Sequence, residues 1–145
     1  MSVRVKVFLD TSILIAANDI DHERHAESRP LLAAATRENC ACGMHSLAET
    51  YANLSIVKGG RQQRPETALR LVEQIASRML VVALDPEEYL TAIRDAAKQR
   101  TAGGTIYDAL LLACARKVDA EQIYTWNVRH FQLVAPDLAE RIVTP

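Results

Sequence analysis

Val7-Phe8-Leu9 closes a stretch in which Val3, Val5 and Val7 alternate with Arg4 and Lys6. Consecutive bulky apolar residues suit a strand covered on both faces, the situation of a strand inside a parallel sheet. Three further stretches read as strands: Cys40–Met44, Met79–Leu84 and Gln122–Thr125. Arg141-Ile142-Val143 reads as a last edge strand. Helical patterns separate them: about Ser12 to Asn18, a second running to about Arg37, one opening at Ser46, and one from Pro65. Two more follow, from Pro86 to about Arg100 and from Thr105 through the apolar Ala109–Ala115. Strands alternating with helices imply right-handed crossovers and a parallel sheet. The fold class expected is α/β: a three-layer α/β/α sandwich with a mainly parallel sheet of four to five strands. No linker, repeat or low-complexity tract divides the chain, so residues 1–145 read as one domain.

Composition narrows the function classes. At 49% hydrophobic residues the chain can bury a sizeable core, and a net charge of −1 gives no global basic field. Any site for a polyanion must therefore be local. No apolar run reaches the roughly 20 residues that span a bilayer, and the N-terminal stretch carries charges unlike a signal peptide. A soluble, cytoplasmic protein with no membrane association is expected. Cys40, Cys42 and Cys114 are an odd number without zinc-site spacing, so they read as core thiols.

Acidic residues recur where strands pass into helices. Asp10 follows the first strand at once, Glu49 is expected in the first turn of the helix after the second, and Asp108 opens the apolar helix. Asn127 follows the fourth strand in an equivalent place. Each has a local reading. Asp10 is a good helix N-cap, Ser46-x-x-Glu49 has the form of a capping box, and Thr105-x-x-Asp108 is a close variant. A shared role is the alternative. Carboxyl ends of neighbouring parallel strands, about 4.8 Å apart, bring such residues to one crevice. Converging carboxylates raise one another's pKa unless a cation neutralises them. Oxygen ligands, with the Thr11 or Ser12 hydroxyl beside them, suit Mg2+ or Mn2+ and not zinc. The chemistry then implied is metal-assisted phosphodiester hydrolysis.

At these residues the sequence resembles the PIN-domain family of metal-dependent ribonucleases, and within it the VapC-type toxins of bacterial toxin–antitoxin pairs. The resemblance lies in Val7-Phe8-Leu9-Asp10-Thr11-Ser12, Leu47-Ala48-Glu49, Tyr107-Asp108-Ala109-Leu110-Leu111 with Ala113 and Ala115, and Tyr124-Thr125-Trp126-Asn127-Val128-Arg129-His130-Phe131. It implies an endoribonuclease that cuts a structured RNA such as tRNA or rRNA. It also implies Mg2+ or Mn2+ dependence, a homodimer, and inhibition by a cognate VapB-like antitoxin that places a basic side chain among the acids. Asp10, Glu49 and Asp108 match the family's metal-binding acids, with Asn127 at its fourth acidic position as a further catalytic residue. An amide there adds no charge, which leaves the metal count at one or two and keeps a non-cleaving RNA- or protein-binding module as the alternative.

RNA contacts come mainly from Lys, Arg and backbone amides. Lys58, Arg61 and Arg64, in what reads as a flexible basic loop, are the candidates for substrate binding with Thr11 and Ser12. Lys98, Arg100 and the Gly103-Gly104 turn are further groove candidates. Trp126 and Tyr107 read as base-stacking or core-packing residues. His22 and His25 are near neighbours but lack a third ligand. His130-Phe131 is expected to start a short turn. Apolar helix positions between about Leu47 and Ile75 are candidates for dimer or antitoxin contacts. Other acid-bearing α/β sites fit less well: a haloacid-dehalogenase-like phosphatase wants Asp where Ser12 stands, and a receiver-like domain wants an acidic pair and a downstream Lys.

Overall fold

The computed structural model describes residues 3–58, 61–62 and 64–145, with the side chains of 57–58 and 61–62 outside the description. A parallel sheet of five strands, ordered β5-β2-β1-β6-β7, forms its middle layer. The strands are β1 (Val7–Leu9), β2 (Cys40–Gly43), β5 (Leu80–Val82), β6 (Gln122–Tyr124) and β7 (Ile142–Val143). Pairing puts Leu9 opposite Tyr124 and Val7 opposite Cys40. The first strand is shorter than its apolar pattern, although Val5 and Lys6 still bond across to Val118, Asn39, Glu121 and Gln122.

Side chains of β1 alternate between two cores. Phe8 joins Ala41, Leu112, Ala115, Ile123 and Phe131 on one face. Leu9, with Val7 packed against the same cluster, joins Ile13, Leu14, Leu32, Cys40, Cys42 and Ile75 on the other. The helices α1 (Thr11–Asn18), α2 (His25–Ala33) and α4 (Pro65–Arg78) supply the second core. The first is closed by α6 (Thr105–Lys117) and α7 (Val128–Val134), with α5 (Pro86–Lys98) packed beside α6. The three cysteines are free and buried; burial pushes the Cys40 and Cys42 thiols up to about 12. Inert core thiols are the result.

Several expectations change. The helix after β2, α3 (Met44–Leu54), begins directly at Met44, because Gly43 itself serves as its N-cap without a side-chain bond. Glu49 therefore lies in the second turn, and Ser46 is inside the helix and fully buried, so no capping box forms there. Gly104, not a Thr105 side chain, precedes α6, which likewise has no side-chain cap. A capping box does form at α5, from Asp85 with Glu88. The segment expected as a loop around Lys58 contains an antiparallel pair, β3 (Val57–Lys58) with β4 (Arg61–Gln62). In α4, Ala68 and Ile75 carry the buried face, while Leu69 is half exposed. His130-Phe131 lies within a helix rather than a turn, since Phe131 is drawn into the core. The second helix stops at Ala33, well before Arg37, and α5 stops at Lys98.

Candidate functional site

The register of β1 with β6 builds the centre of the site. Asp10 follows Leu9, Thr125 follows Tyr124, and the Asp10 amide donates to the Tyr124 carbonyl (3.0 Å). The two side chains therefore stand side by side at the carboxyl edge of the sheet. Thr125 Oγ1 donates to Asp10 Oδ2 (2.8 Å), Ser12 Oγ donates to the same oxygen (2.8 Å), and the Ser12 amide adds a longer bond (3.3 Å). All three land on Oδ2. Asp10 is thus the N-cap of α1, as its local reading held, and also a buried carboxylate with one oxygen fixed. Burial raises its pKa, against the lowering pull of the Ser12 and Thr125 hydroxyls and the Ser12 and Thr11 amides.

The other two acids approach from different elements. Thr11, the first residue of α1, donates from Oγ1 to Glu49 Oε1 (3.0 Å) and so accepts from Ser46 Oγ (2.7 Å). That bond ties α3 to the start of α1. His45, one helical turn before Glu49, places Nε2 3.9 Å from Oε1 and stacks on Tyr107 with ring centres 5.1 Å apart. Asp108, in the first turn of α6, is bridged through Oδ2 to His130 Nε2 (2.9 Å). Its pKa is raised first by burial and next by the charge of Asp10, with Glu49 adding to the rise and His130 opposing it. Asp108 thus feels the charges of both Asp10 and Glu49 through space.

Each carboxylate has one oxygen engaged by a neighbouring side chain, Asp10 and Asp108 through Oδ2 and Glu49 through Oε1. That division is what oxygen ligands to a hard cation need: one atom oriented by the protein, the other left to bind. Among the described residues, no group of three Cys, His, Asp or Glu side chains is arranged to hold a metal ion as it stands. The donor chemistry fits a divalent ion, while the three acids do not form a closed cage.

The remaining candidates fall at different places. Thr11 and Ser12 use their hydroxyls on Glu49 and Asp10. Asn127 is exposed at the start of α7, donates its amide N–H to Thr125 Oγ1 (3.0 Å), and does not cap the helix with its side chain. Arg64 is exposed at the start of α4; the readings of the Lys58 and Arg61 side chains lie outside the described residues. Lys98 and Arg100 are exposed near the end of α5. Trp126 is half-buried, its indole N–H donated to Ser28 Oγ (2.9 Å), and Tyr107 is largely exposed. His25 bonds through Nδ1 to the Ala16 carbonyl and His22 accepts from the Arg24 amide, so both have local partners. A cleft of about 620 Å3 between α5 and α6 includes none of the three acids. Thr125, Ser46, His45 and His130 were missed in the sequence. The signal for Thr125 was its place beside Asp10 once β1 and β6 are paired.

The family model for the PIN domain matches residues 7–135. Among solved structures, the Mycobacterium tuberculosis toxin VapC20, described as cleaving the sarcin-ricin loop, superposes with a TM-score of 0.68. It is 20% identical over 84% of this chain and 90% of its own. VapBC-1 from nontypeable Haemophilus influenzae gives 0.63 at 20% identity over 97% and 98%. VapBC2 from Rickettsia felis, solved bound to a promoter DNA fragment, gives 0.58 at 18% identity over 89% and 93%. At these identities the likeness is one of fold. No curated protein sequence matches the chain.

Proposed function

This chain belongs to the PIN-domain family, and from that premise we propose that it is a Mg2+- or Mn2+-dependent endoribonuclease, the toxin of a toxin–antitoxin pair. The observation that carries the reading is that Asp108 feels the charges of Asp10 and Glu49, while each of the three acids has one oxygen secured by a neighbour. Asp10, Glu49 and Asp108 would hold the cation through their other oxygens, and Asn127 lies at the family's fourth position. Such an ion supplies charge neutralisation at a scissile phosphate and a more acidic water.

The chain's own residues do the rest. Ser12 and Thr125 fix the Asp10 carboxylate so that its orientation costs nothing at the moment of reaction. Thr11 holds Glu49, and His130 holds Asp108, in the same way. The raised pKa values of Asp10 and Asp108 mean that these acids resist carrying charge alone and lose protons more readily when a cation arrives. Thr11 and Ser12 lie within this lattice, and Lys58, Arg61 and Arg64 are the proposed substrate-binding cations.

The solved neighbours include toxin–antitoxin complexes, so a VapB-like antitoxin is the proposed partner, placing a basic side chain among the acids. Exposed Met44, Tyr51, Ile56 and Leu69 on and around α3 and α4 are the surface proposed for antitoxin or homodimer contacts. No helix among the described residues is long and apolar enough to cross a membrane, and the cytoplasm, where folded RNA substrates are found, is the proposed location. The test is cleavage of tRNA and rRNA fragments with Mg2+, Mn2+ or chelator, comparing wild type with Asp10→Ala. Loss of roughly 100-fold or more in the variant, on the scale of removing a transition-state charge stabiliser, is expected. Equal cleavage by both proteins, or cleavage unaffected by chelator, removes the metal-nuclease reading.

A further inference from the structure

We propose that Arg24, stacked on Trp126 beside the acidic site, binds a backbone phosphate of the RNA next to the position that is cut; this rests on the nuclease reading above. Arg24 Cζ lies 4.5 Å from the centre of the Trp126 ring. Stacking uses the face of a guanidinium and leaves its N–H fork free in the plane, the geometry that takes a phosphate bidentately. None of the side-chain hydrogen bonds among the described residues uses that fork. The Arg and Lys ion pairs involve Arg4, Arg94, Arg116, Lys117 and Arg141 instead. Glu23 and Glu27 are exposed on the same stretch, yet neither pairs with it.

Helix stability does not account for this arginine. It occupies the N-cap of α2 with no side-chain capping bond, a position where Ser, Thr, Asp or Asn would serve better. A cation at a helix N-terminus also opposes the helix dipole. What the arrangement does is fix a positive charge in register with Asp10. The Trp126 indole is pinned by its bond to the fully buried Ser28. The Trp126 amide donates to Ser12 Oγ (3.0 Å), the hydroxyl that in turn holds Asp10 Oδ2. Two hydrogen bonds therefore connect the platform under Arg24 to the central acid. The indole and Ser12 stand between them, so the phosphate reached is a flanking one.

The experiment measures binding of a fluorescently labelled mixed-sequence single-stranded RNA by anisotropy in Mg2+, across a series of salt concentrations. Asp10→Asn is the background, to prevent cleavage. Adding Arg24→Ala is expected to weaken affinity about tenfold and to lower the slope of log K against log salt by about one, the loss of one phosphate contact. Arg24→Lys should restore the slope and only part of the affinity, since a point charge replaces a fork. Unchanged affinity and slope in Arg24→Ala, with wild type still cutting RNA, overturns the inference and leaves the nuclease reading standing. A wild type that neither binds nor cuts RNA overturns both.

Discussion

Replacing Thr125 with valine keeps the shape of a fully buried side chain and removes one oxygen. That oxygen donates to Asp10 Oδ2 at 2.8 Å and accepts the Asn127 amide at 3.0 Å. A hydrogen bond to a charged, buried partner contributes about 1.5–3 kcal/mol, and its loss leaves Asp10 with the Ser12 donors and the Thr11 amide. The Asn127 amide adds little because that residue is exposed. For a domain near 150 residues, each kcal/mol moves Tm by about 2–4 °C, so a fall of about 3–12 °C is expected. Thermal unfolding of Thr125→Val and Thr125→Ser reads it, the serine variant staying within about 1 kcal/mol of wild type. In an Asp10→Asn background the bond is neutral and the same valine substitution should cost only about 1 kcal/mol. An equal fall in both backgrounds would mean that methyl packing, not the bond to the carboxylate, is what Thr125 supplies. No fall in either refutes the arrangement outright.

Two further outcomes follow from the same geometry. Asp10→Asn should raise Tm near neutral pH by about 2–8 °C, equivalent to about 1–2 kcal/mol, while abolishing cleavage. The sign comes from linkage: Asp10 has a folded pKa above its ordinary 3.8, so the folded state holds the proton more tightly. Its contribution to stability is full below that ordinary value and is lost as pH rises through the folded pKa. The advantage of the asparagine variant should therefore grow from acid toward neutral pH; an advantage that shrinks along that path contradicts the assignment. Gly43→Ala would set a Cβ 2.6 Å from Leu111 Cδ2, against a buried core with Phe8 and Cys114 behind it. A cost of about 1–3 kcal/mol in urea unfolding is expected, and an unchanged midpoint would show that Leu111 yields freely.

The order of strands and helices was legible because apolar runs and helical stripes carry it locally. Asp85-Pro86 was read as a helix start and is one, since a cap and the proline beside it are neighbours in sequence. Glu49 and Asp108 were harder. Both sit in strings that look like capping boxes, and only the tight passage from β2 through Gly43 into α3 shows that Ser46 is already inside the helix. Once there, Ser46 turns to Thr11, and the acid three residues on has no capping duty. His130 was read as part of a turn; its bond to Asp108 spans α6 and α7 and leaves no trace in local pattern. The pairing around Lys58 was masked by polarity, because a two-residue strand with one apolar member has no period to read.

The sheet also separates two kinds of constraint. Asp10, Glu49 and Asp108 lie toward the end where the strands finish, whereas the turns at 34–39 and 118–121 meet at the opposite rim, where Asn39 and Val118 receive the start of the first strand. Among the described residues, no hydrogen bond or ion pair joins that far rim to Asp10, Glu49 or Asp108. Substitutions or added residues at that far rim should therefore leave the charge pattern of the acidic end intact.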